Sequence, residues 1–474
     1  MPSPLFTAAV DLGATSGRVI LGQWADNKLT LTEAHRFPNA YRELGGHAYW
    51  EVGTLWHEIQ TGLRKAQGLL PAGAKLSSVG VDTWGCDHVL VNDAGRLVFP
   101  AHAYRDNRTQ AGLAALAERG EAHLYTATGI PNVFYNTSLQ LGEALARFPA
   151  LKDIATRCLF LPDYFNFLLS GKMENELTIA STSQLLDVQG QEWSRTALDH
   201  FKIPPAWFTP PVLAGKKLGP VTSIPELDSA QVVVVPGHDT ACAYDAMPAS
   251  PDGGDLFISS GTWSLVGFEN AKPLLGPEAM AARVANERTG LGGYRPLVNV
   301  VGLFLLEQTM ADFKERPETA ADWDSLISAA AAQPPPEILI DAADPAFTAP
   351  KSMRAAIDAH LKQRKATPPK TLAEYTRVIC DSIGRGHAAA AANFEKMTGN
   401  KFRRILMVGG GSKNKLLCQA TANACGIPVV SFNLEGTAVG NLTSQLVALG
   451  AVKNLATFRQ LLAADLQQTS YSPA

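Results

Sequence analysis

The chain has 474 residues, more than one hydrophobic core usually serves, so two domains are expected. Apolar residues make up 46% and the formal net charge is −3 without a Lys/Arg cluster, which argues against a nucleic-acid or anionic-membrane surface. The six cysteines (86, 158, 242, 380, 418, 425) form no Cys-x-x-Cys pair, no stretch reaches the ~20 apolar residues of a membrane span, and the start lacks a basic region leading into an apolar run. A reduced, cytoplasmic chain is expected.

Residues 6–24 read as strand, turn and strand: an apolar run ends in Asp11, passes through Gly13-Ala14-Thr15-Ser16-Gly17-Arg18 and continues as a second apolar run. Glycine lets backbone approach a ligand, and successive N–H groups in such a turn can cradle an anion. Asp11 can hold a hydrated Mg²⁺ beside phosphates, or it can hydrogen-bond its own turn. Residues 76–91 give a strand, a Trp84-Gly85 turn and the run His88-Val89-Leu90-Val91. Asp82-Thr83-Trp84-Gly85 and Tyr104-Arg105-Asp106 mix polar and aromatic groups, which suits a sugar's hydroxyl rim and apolar C–H faces. Ordinary turns around a buried Trp would look the same.

A β-branched run at 231–236 predicts a buried strand ending in Gly237-His238-Asp239-Thr240, with a helix beyond. Ligands of open α/β sheets bind past strand carboxyl ends. A carboxylate at 239 can take a proton from a hydroxyl, or cap the helix. His238 reads as a core or capping residue more readily than as a base. The Pro/Gly-rich stretch 248–254 marks the boundary between domains at 1–247 and 252–474. Residues 256–269 then repeat the strand–turn–strand pattern around Ser260-Gly261-Thr262, and two such turns facing each other could hold one polyphosphate. Helices are expected over 323–332 and 371–398. A strand over 404–408 enters the turn Gly409-Gly410-Gly411 and a helix over 413–425, a surface against which a purine or ribose could lie. The last strand, at 428–432, leads through Glu435-Gly436-Thr437 into a helix. The alternation of strands and helices makes the chain an α/β protein. Neither a Gly-x-Gly-x-x-Gly fingerprint nor a P-loop occurs, so any nucleotide is held in another way.

Together these motifs resemble the FGGY carbohydrate kinases, and among them most the rhamnulokinase branch, over essentially the whole chain. The resemblance is carried by 10–18 and 259–267 (phosphate turns), 238–241 (catalytic segment) and 408–414 (adenosine motif). Arg36-Phe37-Pro38-Asn39, Asp82–Asp87, Tyr104–Thr109 and Leu161–Phe165 are further landmarks. It implies an actin-like ATPase fold, two ribonuclease-H-like domains with a cleft between them, and ATP with Mg²⁺. It assigns Asp239 as general base and Gly85, His238, Thr240 and Asn299 to the sugar. Gly13, Ala14, Thr15, Ser16, Gly17, Arg18, Gly261, Thr262, Glu307, Gly410 and Gly411 fall to ATP, and Asp11 to Mg²⁺ through water. It implies a kinase of a small sugar that needs neither nucleic acid nor membrane. Cys86, His88 and Glu307 stand where this branch usually has Val, Phe and Gln, and Asn286-Glu287-Arg288-Thr289-Gly290 departs from its Asn-Glu-Gly-Gly. L-rhamnulose is the first expectation, with L-fuculose, another ketose or a polyol open beside it. An actin-like nucleotide-driven scaffold and a catalytically retired sugar-binding regulator are the rival classes; an intact Asp239 and both turns weigh against each.

Overall fold

The computed structural model describes residues 4–119, 122–347, 350–432 and 435–474. The first three residues, part of the start in which no signal peptide was expected, lie outside them. By contacts the chain forms two units: 1–248, 269–296 and 436–465 in one, 249–268, 297–435 and 466–474 in the other.

The first unit is built on β1 (Leu5–Leu12), β2 (Ser16–Ala25), β3 (Lys28–Pro38), β4 (Ser78–Thr83), β5 (Lys217–Pro220) and β6 (Gln231–Val233), in the order β3-β2-β1-β4-β6-β5. β1 and β2 form the hairpin expected from the sequence, in register from Leu5↔Trp24 to Leu12↔Gly17. β1 and β4 run parallel with Asp11 opposite Asp82, and β6 runs parallel to β4. Val10, Leu12, Val79 and Val81 are fully buried in one core with Ile59 and Leu63. A continuous apolar run is what a central strand covered on both faces requires. Beyond β6 the chain leads through a bend at Gly237 to a parallel bridge between Thr83 and His238, where helix α1 (Asp239–Ala246) begins. Residues 84–87 make a turn, and pairing resumes only at His88–Val91.

The second unit repeats this plan. β7 (Asp255–Ser260) and β8 (Trp263–Gly267) are the second hairpin. The chain then passes through β9 (Ala285–Arg288), within the segment grouped with the first unit, and β10 (Tyr294–Val301). Helix α2 (Phe304–Phe313) and the long α3 (Leu372–Thr398) lead to β11 (Arg404–Val408), helix α4 (Lys415–Cys425) and β12 (Val429–Phe432). The strand order β10-β8-β7-β11-β12 matches β3-β2-β1-β4-β6, with β7, β11 and β12 parallel. α3 starts on a Thr371/Glu374 capping box and stops at Gly399 in the left-handed region, as composition alone would set its ends. A 3₁₀ turn, Gly410–Lys413, precedes α4, so that helix starts at 415 rather than 413.

Two features depart from expectation. β13 (Gln468–Tyr471) adds an antiparallel strand beside β12, after the one read as last. And a linear cut between 247 and 252 is not the division by contacts, because β9 and helix α5 (Gly436–Ala448) group with the first unit. α5 lies against the sheet: Asn441 Nδ2 donates to the Gly80 carbonyl and to Asp82 Oδ2, and Gln445 Nε2 donates to the Ala8 carbonyl.

Candidate active site

In the first unit the carboxyl ends of three neighbouring parallel strands carry Asp11, Asp82 and the His238-Asp239-Thr240 segment. Asp11 Oδ2 accepts from Arg18 Nε at 2.9 Å and Nη2 at 2.7 Å, across the hairpin from the next strand. The turn itself is closed by the backbone bond Gly13 N–H to Ser16 carbonyl at 3.0 Å, and Asn39 Nδ2 donates to the Gly13 carbonyl. Ala14 and Thr15 are left at the open side of the turn. Gly17 is glycine for packing: a Cβ there would stand 2.3 Å from the Phe37 ring.

Asp82 is fully buried, and its Oδ1 has no hydrogen-bond partner. Burial, and then the neighbouring Asp11 and Asp239, push its carboxyl well above the usual range. Among the described residues no group of three or more His, Cys, Asp or Glu could enclose a metal. Two carboxylates at paired strand positions, one with an unused oxygen, fit a divalent cation that keeps its waters and takes its remaining ligands from phosphate.

Asp239 is the first residue of α1, not its cap. The cap position is His238, whose side chain makes no capping bond, and Asp239 Oδ1 accepts from the Thr240 hydroxyl at 3.1 Å. Its side chain is 29% exposed, while that of Asp11, two strands away, is nearly buried. The segment is held from below: Glu176 Oε2 accepts from the Gly237 N–H, and the His238 N–H donates to Thr178 Oγ1. Gly85 opens the space next to it; a Cβ there would come within 3.4 Å of both His238 Nε2 and Thr182. Cys86 follows with φ +71°, its N–H donating to Thr182 Oγ1 and its Sγ to the Thr182 carbonyl. Trp84 and Trp50 lie 4.2 Å apart by ring centroid and both donate their indole N–H to Asp87.

Two residues with no role read from the sequence complete this corner. Glu287 Oε2 lies 3.0 Å from His238 Nδ1, and Arg295, fully buried, reaches the same carboxylate oxygen. Burial alone would raise Glu287, but Arg295 and His238 outweigh it and hold the carboxyl at about 2. The only trace in the sequence is the Asn286–Gly290 segment, which stood out as a departure without a partner.

In the second unit the structure brings together Gly261, Thr262 and Gly409–Gly411. The Gly261 N–H closes its turn onto the Trp263 carbonyl, and Leu303 and Phe304 donate back to Gly261 and Thr262 as α2 begins. Gly409 has φ +86°, and a Cβ would meet the Ser260 carbonyl at 2.5 Å; at Gly411 it would meet Ser260 Oγ at 2.1 Å. Around Gly410 nothing lies within 4 Å. Glu307 is exposed in the first turn of α2, and Asn299 is exposed on β10 opposite Leu265. Asn299, expected at the sugar, thus belongs to a different unit from Gly85, His238 and Thr240.

A duplicated hairpin-led sheet with carboxylates at the strand ends of one copy and a glycine cradle at those of the other defines an actin-like two-domain ATPase fold. Solved structures with that fold include glycerol kinase from Plasmodium falciparum with ADP (TM-score 0.82, 13% identity, 99% of this chain and 94% of that one). Xylulose kinase from Lactobacillus acidophilus is similar to the same degree (TM-score 0.81, 16% identity, 99% and 94%). The N-terminal domain of the FGGY family of carbohydrate kinases matches residues 6–244, and its C-terminal domain matches residues 256–449. A rhamnulokinase from Klebsiella pneumoniae subsp. pneumoniae is 37% identical over 470 residues, 98% of this chain and 94% of its own. The chain belongs to the FGGY family of carbohydrate kinases. It is a phosphotransferase acting on a sugar with ATP, and among its described residues no helix is long and apolar enough to cross a membrane.

Proposed function

We propose that the enzyme transfers the γ-phosphoryl group of ATP to the primary C1 hydroxyl of L-rhamnulose, with Asp239 as general base. The sugar is supported by the likeness to a rhamnulokinase across nearly the whole chain. The base is supported by one observation above all: Asp239 starts a helix without capping it, so its half-open carboxylate is committed to no backbone group. Such a carboxylate takes the hydroxyl proton as the sugar oxygen attacks in line. Gly85, His238, Thr240 and Asn299 orient the sugar, and Thr182 borders the same space over Gly85.

The turn Gly13–Arg18, with Gly261, Thr262, Gly410 and Gly411, donates backbone N–H groups to ATP, and Glu307 is assigned to ATP with them. Positioning and fixed dipoles provide most of the rate in phosphoryl transfer. Asp11, beside the unused oxygen of Asp82, would hold Mg²⁺ through water. Mg²⁺, when bound, spreads the charge on the phosphates.

The reading is tested by ADP release over a panel of ketoses, aldoses and polyols, with wild type and Asp239→Asn side by side. L-rhamnulose should give the highest kcat/KM, and the variant should lose turnover with every sugar. A better substrate among L-fuculose, other ketoses or polyols overturns the sugar; an active Asp239→Asn overturns the base.

A further inference from the structure

The proposed base has little of its own to hold it. Among the described residues, the Asp239 carboxylate has two polar contacts, both to chain neighbours: the Thr240 hydroxyl at 3.1 Å and His238 Nε2 at 3.4 Å. Its place is therefore inherited from the backbone at 237–238, and that backbone is clamped from two sides. The Gly237 carbonyl accepts from the Thr83 N–H at 2.9 Å, at the end of β4. The Gly237 N–H donates to Glu176 Oε2 at 2.8 Å. The His238 N–H donates to the Thr178 hydroxyl at 3.3 Å, which itself donates to the same Glu176 oxygen at 2.6 Å. Glycine at 237 lets the chain come this close, since a Cβ there would stand 3.0 Å from that oxygen.

Glu176 also caps the short helix Leu177–Ser181, accepting from the Ile179 N–H at 2.9 Å. Thr182, just past that helix, accepts from the Cys86 N–H at 3.0 Å, in the turn that carries Gly85. One short element thus ties to the base segment and to the sugar-facing turn. The tie carries a penalty. Glu176 is buried, its Oε1 has no partner among the described residues, and its own N–H donates to buried Asp163 at 3.1 Å. Burial raises both carboxyls above the usual range. Capping alone does not call for this, because a Ser or Thr hydroxyl caps a helix as well. Fixing two backbone donors beside a reacting group does call for an acceptor locked in one place. We infer that Glu176 and Thr178 are positioning residues for the transfer: they hold the backbone at 237–238, and through it set where the Asp239 carboxylate meets the attacking hydroxyl. The inference rests on the reading of Asp239 as general base.

Thr178→Val keeps the shape of the side chain and removes the link to the His238 N–H. In the folded variant, kcat with L-rhamnulose should fall at least tenfold while KM for ATP stays within twofold. A displacement of about 1 Å at a reacting group can cost on the order of 10²-fold. Thr178→Ser, which restores the hydroxyl, should return kcat to within threefold of wild type. Glu176→Ala should lose more than Thr178→Val, and Glu176→Gln, which keeps an acceptor for the Gly237 N–H, should recover part of the loss. A residue that acts through the base has nothing to add once the base is gone. Thr178→Val combined with Asp239→Asn should therefore change the residual sugar-dependent turnover by less than twofold. Wild-type kcat in Thr178→Val or Glu176→Ala overturns the inference. So does an equal fold loss from Thr178→Val in the wild-type and Asp239→Asn backgrounds, which would make Thr178 a packing contact and nothing more. Should Glu176→Ala fail to fold, the Thr178 variants decide alone; should Thr178→Val fail to fold, Thr178→Ala replaces it on the same terms. Near-wild-type turnover in Asp239→Asn itself would instead remove the base reading, whatever Thr178 does.

Discussion

The two units use one strand plan and put opposite chemistry on it. At the strand ends of the first stand Asp11, Asp82 and Asp239, with Glu287 and Arg295 behind; at those of the second stand Ser259, Ser260, Gly409, Gly410 and Gly411. The first hairpin is pinned by an ion pair, Asp11 to Arg18, the second by backbone bonds from the start of α2. Charge concentrated in one copy suits proton and cation handling. A neutral, glycine-lined copy suits close approach of a polyanion without imposing its own charge.

If that division holds, charge removal in the first unit is the severest change. Asp239→Asn is expected to cost about 10²–10⁴-fold in kcat with ATP affinity nearly unchanged. Asp11→Ala should raise the Mg²⁺ requirement by about 10–100-fold, as loss of a group acting on a metal through water does. Steady-state kinetics with Mg²⁺ and ATP titrated separately checks both; equal Mg²⁺ dependence in wild type and Asp11→Ala would break the contrast at its base.

In the second unit shape, not charge, should matter. Gly411→Ala drives a methyl into buried Ser260 and should lower thermal stability by about 1–3 kcal/mol, while Gly410→Ala, with open space around it, should leave the melting temperature alone and raise KM for ATP. Calorimetric melting of the two proteins separates them. Equal melting temperatures would mean that Gly411 is not packed as described.

The units also treat histidine differently. His238 has a charged partner, whereas His387, on α3, is fully buried and, among the described residues, hydrogen-bonds to the Thr421 hydroxyl alone, and burial lowers it to about 3. Its folded value lies below its unfolded one, so the unfolded chain takes up a proton that the native state refuses. The contribution is intact above about pH 6.5 and is lost as pH falls toward 3, at up to ~1.4 kcal/mol per pH unit. Urea unfolding at pH 7 and pH 5 should show a slope that His387→Gln flattens; an unchanged slope sinks the prediction.

The smallest effect concerns sugar choice. Cys86 touches Thr182 through both its N–H and its thiol, and Thr182 borders the space over Gly85. Cys86→Val should shift the ratio of kcat/KM between L-rhamnulose and L-fuculose by up to about tenfold, more than His88→Phe does. Identical ratios in wild type and Cys86→Val would exclude Cys86 from selection.

Both hairpins and the strand ends were legible because each combines an apolar run with a Gly/Ser/Thr turn, a pattern fixed by neighbours in sequence. Helix α3 was legible to within a residue from its Thr371 and Gly399 ends. β13 was not: Gln468-Thr469-Ser470-Tyr471 is a short, polar edge strand whose place is set by pairing with β12, not by its own pattern. Nor was the ion set at His238, since Glu287 and Arg295 lie 49 and 57 residues away from it, and nothing local marks such a partnership. The likeness to a kinase family pointed to Asp239, but its freedom from capping is visible only in three dimensions.

Helix α5 sets an order of events during synthesis. Asn441 and Gln445 supply the hydrogen bonds of Asp82, Ser78 and the Gly80 and Ala8 carbonyls, and Gly440 lets α5 close on α1, where a Cβ would stand 1.8 Å from the Cys242 carbonyl. The first 248 residues leave the ribosome with those groups unmet. At about 5–20 residues per second, α5 follows on the order of 10–40 s later. Until then the nascent half-protein has an open flank along its central strands, and holdase chaperones are expected to engage it there.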